Sequence, residues 1–341
     1  MVEHHVRTAD EICRDLGEFF DLGASFNFYM FHGGTNFAFT NGANYYDFYQ
    51  PTVTSYDYNA LLTEAGDRTE AYYRVREMIA EKTGHSVPLT ARESEKRAYG
   101  RLKLCEFAPL FDNIDTLSTE YSTPNPKYME DLGQDFGYML YRTETLPQSE
   151  SRALTIEKVH DRALVFIDGK ASGVYDRRRM PPSEILPHVG GDGRPHRLDI
   201  LCENMGRVNY GPKLRDRKGI SGVRFDYQYH FGWKQYPLPM DDLSGLRFTT
   251  TEPSEQTPVF LRGSLTIEGT PCDTFVSLDN FVKGFVVVNG HNIGRYYLPA
   301  GPQKTLYLPA PFLHEGENEI IVFESDFYTT PEIEFADKPR L

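Results

Sequence analysis

The amino-acid sequence predicts a mainly β protein. Residues 1–90 read as the closing units of an incomplete (β/α)8 TIM barrel, and two β-sandwich domains of jelly-roll type follow, over 91–240 and 241–341. Three observations carry this prediction. The first 90 residues run helix, buried strand, long loop, helix, which is one and a half units of such a barrel. Beyond them, short β-rich runs separated by turn signals replace helical periodicity, the pattern of all-β sandwiches. Two of those runs also repeat: FIDGKASGVY (166–175) matches VVNGHNIGRY (287–296), and at the same offset LDILCE (198–203) falls on EIIVFE (319–324).

Taken in order, RTADEICRDLGEFFDLG (7–23) is a helix, opened by a Thr8/Glu11 capping box and closed at Gly23. Ile12, Leu16, Phe19 and Phe20 share its inward face. Phe26 to Phe31 is a near-continuous apolar run ending at Gly33-Gly34, suited to a strand buried on both faces. Ala38 to Gly66, rich in Asn, Tyr, Asp and Pro, reads as a long irregular loop. The second helix runs from Thr69 to Lys82, turns Tyr72, Val75, Met78 and Ile79 inward and stops at Gly84. The β runs then follow: RLKLCEF, FGYMLYRTE, RALVFIDG, RLDILCEN, VFLRGSLTI, GFVVVNG, KTLYLP and EIIVFES. Asp168-Gly169 and Asn289-Gly290 are type I′ hairpin signals. Register held through the second block favours two related β domains over generic hairpins, with a boundary near YPLPMDDLSG (236–245).

The net charge of −13 argues against nucleic-acid and anionic-membrane partners. The 22 Tyr and 23 Phe against one Trp lean toward β structure and sugar-facing surfaces. Cys13, Cys105, Cys202 and Cys272 lie far apart, which fits free thiols in a reducing, cytoplasmic compartment. No stretch approaches the roughly 18 apolar residues needed to span a bilayer.

Candidate chemistry gathers in TSYDYNALLTEAGD (54–67). In extended backbone Tyr56 and Tyr58 point one way and Asp57 the other. Sugar hydrolysis needs two carboxyl groups about 5–5.5 Å apart for retention or about 6.5–9.5 Å for inversion, and Asp57 or Glu64 could be one of them. The alternative is that Glu64 and Asp67 cap the next helix while Asp57 makes loop hydrogen bonds. His32 either lines a pocket or packs in its loop. ENMGRVNYG (203–211) lies among the β runs, where a structural or interdomain role is expected of Glu203. The ten histidines, His4-His5 included, show no metal-ligand spacing, and there is no glycine-rich phosphate loop, so neither metal nor cofactor is expected.

YMFHGGTNFAFTNGAN (29–44) followed by PTVTSYDYNALLTEAGD (51–67) resembles glycoside hydrolase family 35, the retaining β-galactosidases. ENMGRVNYG and VNGHNIGRYYLPAGPQKTLYLP (288–309) resemble that family's C-terminal β domains, so the likeness runs along the whole chain. It implies a TIM barrel followed by two galactose-binding-like sandwiches, with Phe26 to Phe31 as the eighth barrel strand. It also implies that Tyr29 ends that strand beneath the sugar and that Tyr58 contacts galactose. Thr40, where the family prefers an aromatic, and the inserted Val53 depart from the pattern. The family's acid/base motif (Ala-x-x-Glu-Asn-Glu-Tyr-Gly type) and nucleophile motif (Glu-Phe/Tyr-x-x-Gly-Trp type) do not occur in this sequence, and Glu3 lacks the Gly-Trp flank. The expectation is therefore a β-galactosidase by family whose isolated chain is inactive. An N-terminal barrel half or a homo-oligomer is the candidate partner, and a galactoside the substrate. The rivals are a carbohydrate-binding pair of β domains, one half of a split glycosidase, and a related exo-β-glycosidase such as a glucosaminidase.

Overall fold

A computed structural model of the protein describes residues 6–86, 88–89, 91–178, 187–255 and 257–340; Glu3, His4 and His5 lie outside the described residues. Helix α1 (Ala9–Asp21) opens on the capping box read from sequence. The Glu11 amide donates to Thr8 Oγ1 at 3.2 Å, and the Thr8 amide donates to Glu11 Oε2 at 2.7 Å. Helix α2 (Glu70–Thr83) is capped by Thr69 and ends on Gly84 in the left-handed conformation. Cys13 and Leu16 of α1 pack against Leu61, Ala71 and Val75 in a small apolar cluster. Phe19, expected on the inward face, is 44% exposed, because Cys13 and Leu16 rather than Phe19 face α2.

The strand expected over Phe26 to Phe31 does not form. A parallel strand exists only through ladder bonds to neighbours, and no strand lies beside this segment among the described residues. Its nearest ladder contact is a single parallel bridge between His32 and Leu62. The apolar side chains pair locally instead, Phe26 standing edge-on to Phe20 and to Phe28. The loop after it is more ordered than its composition suggests. Gly42–Tyr45 and Tyr49–Pro51 form a hairpin, and Gly42 and Ala43 pair in parallel with Arg207 and Val208.

The mainly β reading holds. One sandwich has a six-stranded sheet, in the order Tyr121–Thr123, Trp233–Leu238, Tyr138–Glu144, Arg197–Glu203, Arg162–Ile167, Lys170–Asp176. Facing it is a four-stranded sheet of His188–Gly190, Ser151–Glu157, Gly222–Phe225 and Gln228–Tyr229. The other sandwich has a five-stranded sheet, His291–Tyr297, Lys283–Val288, Gly316–Glu324, Val259–Ile267 and Glu106–Pro109, over a four-stranded one. That second sheet is Thr305–Leu308, Thr274–Ser277, Glu332–Ala336 and Gly100–Lys103. Two strands lying before the first sandwich in sequence thus complete the second.

The two large sheets share one core. Ile321 and Phe323 face Tyr138, Leu140 and Phe166 of the first sandwich, while Ile320 and Val322 face into the second. With both faces covered, the central strands carry apolar residues at successive positions, which is why GFVVV and EIIVF read as unbroken runs.

The repeat is real as geometry in its hairpins. Each carries a two-residue turn with both φ positive, Asp168-Gly169 and Asn289-Gly290. Each also has a bulge at the matching place, between Val165 and Phe166 and between Val286 and Val287. The third strand is offset by one residue from the sequence match. Leu198 pairs with Ile167, but Ile320, not Glu319, pairs with Val288. Aligned apolar letters do not report which face each residue takes.

Candidate functional site

The two tyrosines singled out from sequence meet through a third. Tyr56 and Tyr58 stand edge-to-face with ring centroids 4.9 Å apart, and the Tyr56 hydroxyl, held above its ordinary pKa by burial, is raised further by the nearby Tyr29 side chain. Tyr29 is 83% exposed and Tyr58 48%, so the cluster presents ring surface outward. Burial raises the Tyr58 hydroxyl above its ordinary pKa, with Tyr56 adding to it, so it stays a donor. Asp57 points away, as expected. Its carboxylate accepts from the backbone amides of Ala60 at 3.3 Å and Glu64 at 3.1 Å.

Glycine makes this arrangement possible. A Cβ on Gly33 would lie 2.0 Å from the Tyr56 carbonyl oxygen, so the two backbones can touch only if residue 33 has no side chain. Tyr56 then donates its amide to Gly34 at 2.9 Å, and Asn36 donates to Thr54 at 2.7 Å.

The other candidate carboxylates are engaged by their neighbours. Glu64 is buried and accepts from Thr35 Oγ1 at 2.6 Å; burial raises its pKa to about 7. It does not cap α2, a role Thr69 takes. Asp67 forms an ion pair with Lys96. His32 is exposed and donates Nε2–H to the Glu64 carbonyl at 3.0 Å. Among the described residues no group of three or more His, Cys, Asp or Glu is placed to hold a metal ion.

Beside the tyrosines lies an open groove of about 700 Å³. The loop lines one side with Asn36, Thr40, Asn44, Tyr56 and Tyr58. The first sandwich lines the other with Asp135, Phe136, Arg207 and Asn209. Sequence reasoning missed Phe136 and Asn209, because their approach to the loop depends on the parallel pairing of 42–43 with 207–208.

What holds the loop is a buried polar junction. Arg295 donates to the carbonyls of Asn204 and Met205, both at 2.5 Å, and also to Asn41 Oδ1. Glu203 accepts from Lys283 Nζ at 2.8 Å and lies 3.4 Å from Arg295. Thr54 Oγ1 donates to the Arg295 carbonyl at 2.7 Å, and Gln303 Oε1 accepts the Ser55 amide at 2.8 Å. A second knot lies nearby: Lys218 Nζ, fully buried, reaches Asp161 at 2.9 Å and the Gly206 carbonyl at 2.8 Å. The Tyr49 hydroxyl sits 2.6 Å from that same carbonyl. The interdomain role expected of ENMGRVNYG is what the structure shows.

Comparison with known proteins agrees with this division of labour. Residues 2–82 match Glycosyl hydrolases family 35. Residues 126–239 match the β-galactosidase first all-beta domain, and 258–318 the β-galactosidase galactose-binding domain. Human beta-galactosidase-1-like protein 2 is 37% identical over 99% of this chain and 54% of its own length. Beta-galactosidase 1 of Dictyostelium discoideum is 36% identical over 97% of this chain and 54% of its own. Bovine beta-galactosidase is 35% identical over 98% and 55%.

The chain belongs to glycosyl hydrolases family 35. It spans about half the length of the curated relatives it matches. The junction is where the three matched segments of this family 35 chain meet. Asn41 comes from the first, Glu203 to Met205 from the second, and Lys283 and Arg295 from the third.

Proposed function

We propose that this chain serves a retaining β-galactosidase and supplies the aromatic wall against which a terminal β-linked galactose packs. The observation that carries the proposal is the Tyr29–Tyr56–Tyr58 cluster, which faces outward while the loop bearing Tyr56 and Tyr58 is tied to one sandwich by Thr54 and Ser55 and to the other by Asn41. A tyrosine offers the apolar face of galactose a ring and its hydroxyls a hydrogen bond. Hydrolysis with retention proceeds by double displacement, one carboxylate attacking the anomeric carbon and a second carboxyl protonating the leaving oxygen, then activating water. Asp57 is spent on backbone amides and Glu64 on Thr35. The family's two glutamate motifs do not occur in this sequence, so on this reading both catalytic glutamates come from a barrel half, and the chain alone has negligible activity.

The test is a nitrophenyl β-galactoside assay on the purified chain, with calorimetric titration of galactose. No turnover, with galactose binding weakened by Tyr58→Phe, is expected. Turnover that survives repurification and is abolished by Tyr58→Phe overturns the claim of inactivity. A second reading, in which the β domains alone hold sugar, draws support from the galactose-binding match over 258–318. It predicts galactose binding indifferent to Tyr58→Phe.

A further inference from the structure

The groove beside the tyrosine wall contains polar groups that the proposed galactose contact does not use. Among the described residues, no hydrogen bond engages the side-chain amides of Asn44 and Asn209 or the carboxylate of Asp135, and all three line the groove. Their backbones are nevertheless fixed. The Asn209 amide N–H donates to the Ala43 carbonyl at 3.1 Å, beside the strand that carries Asn44. The Asp135 carbonyl accepts from Asn204 Nδ2 at 3.0 Å and from Arg207 at 2.9 and 2.5 Å. Next to it, Phe136 stacks on buried Phe39 with centroids 5.9 Å apart and keeps 37% of its own surface exposed.

We infer that this half of the groove is a second saccharide subsite, holding the sugar to which the galactose is linked. The inference rests on the proposed galactose-facing role of Tyr58. Three features select a sugar as occupant. Each carboxamide offers both a donor and an acceptor, as sugar hydroxyls require, and Asp135 adds an acceptor. Phe136 supplies a ring face for a C–H surface. The single cationic side chain lining the groove, Arg207, already holds Glu130 and the Asp135 carbonyl, so no anion site is offered. The volume falls in the range of clefts that enclose small-molecule ligands, with room for a ring beside galactose. Fixed backbones under free side-chain groups lower the ordering cost of binding.

The experiment titrates the full chain with galactose, lactose and sucrose, reading affinity by calorimetry and side-chain amide signals by NMR. Lactose is expected to bind about fivefold more tightly than galactose, the worth of one net hydrogen bond, and to shift the Asn44 and Asn209 amides, which galactose leaves in place. Asn209→Ala, at an exposed position, should bring lactose down to the galactose level without altering galactose affinity. Lactose binding no tighter than galactose, with both amides unmoved while signals around Tyr58 shift, overturns the subsite alone. Absence of binding by either sugar overturns the galactose-facing reading and the subsite with it. Sucrose shifting the same amides as lactose shows a generic polyol effect and also overturns the subsite.

Discussion

Replacing Arg295 by methionine tests whether the polar junction is what holds the tyrosine-bearing loop. The guanidinium, 8% exposed, satisfies two carbonyls and the Asn41 side chain and lies against Glu203. Methionine fills much of the volume and none of the hydrogen bonds. Removing one partner of a buried ion pair costs about 3–5 kcal/mol. Here Lys283 stays on Glu203 at 2.8 Å, so the carboxylate is not abandoned and the lower end, about 3 kcal/mol, is expected. At about 2 °C per kcal/mol for a large domain, the melting temperature should fall by about 6 °C. Arg295→Lys should lose most of the same stability, since one ammonium cannot reach Asn41 and the Asn204 carbonyl together. Urea denaturation measures the loss, and limited proteolysis within 38–66 reports whether the loop is released first. The reasoning fails if Arg295→Met costs under about 1 kcal/mol, or if it adds independently to Asn41→Ala, because contacting residues should couple.

Two further outcomes follow from the same loop. Glu64 is ordinarily a carboxyl of pKa 4.5, raised in the folded chain to about 7 by burial. The folded state therefore holds this proton more tightly than the unfolded state. Its stabilising effect is fully present below pH 4.5 and lost as pH rises toward 7, a change of about 3 kcal/mol. Denaturation at pH 5 and pH 8 should show Glu64→Gln, which keeps an acceptor for Thr35, to be less pH-sensitive than the native chain; equal slopes would refute this. Gly33→Ala forces a Cβ against the Tyr56 carbonyl and should cost at least about 2 kcal/mol, the scale of overpacking against backbone. It should also lower galactose affinity by displacing the tyrosines, and unchanged melting and binding would show that the contact relaxes freely.

Much of this molecule was legible because its signals are local. A capping box, an Asp-Gly or Asn-Gly turn and a run of apolar residues each encode a structure within a few positions, and α1, the two hairpins and the central strands appear as read. Phe26 to Phe31 failed for the opposite reason: a strand is a relation to neighbours, and apolar composition does not supply them. The pairing of Gly42 and Ala43 with Arg207 and Val208 was invisible for the same cause. At the site, Tyr29 and Tyr58 came from the family likeness, and the extended Tyr-Asp-Tyr alternation put Tyr56 on the side of Tyr58, but the approach of Tyr29 to Tyr56 had no signal in the sequence. Arg295 sat in a quoted motif without a role, since its partners come from three distant parts of the chain. Asn44 and Asn209 likewise sat in quoted motifs without a role and Phe136 in a quoted β run, while Asp135 carried no local mark at all.

The threading of the second sandwich has a consequence for how the chain is made. Its strands Gly100–Lys103 and Glu106–Pro109 leave the ribosome early, but their partners are Glu332–Ala336 and Val259–Ile267. From Pro109 to Val259 is 150 residues (259 − 109). At about 5–20 residues per second, the edge of Glu106–Pro109 waits roughly 8–30 seconds for its mate. Gly100–Lys103 waits longer, until the last strand emerges. In that interval the whole first sandwich is synthesised and Phe107 and Ala108, both buried in the finished protein, have no sheet to enter. Nascent chains halted between residues 240 and 258 would thus carry a completed six-stranded sheet beside two unmated edges, a template for misassociation that is removed once the strands from Val259–Ile267 to Glu332–Ala336 emerge.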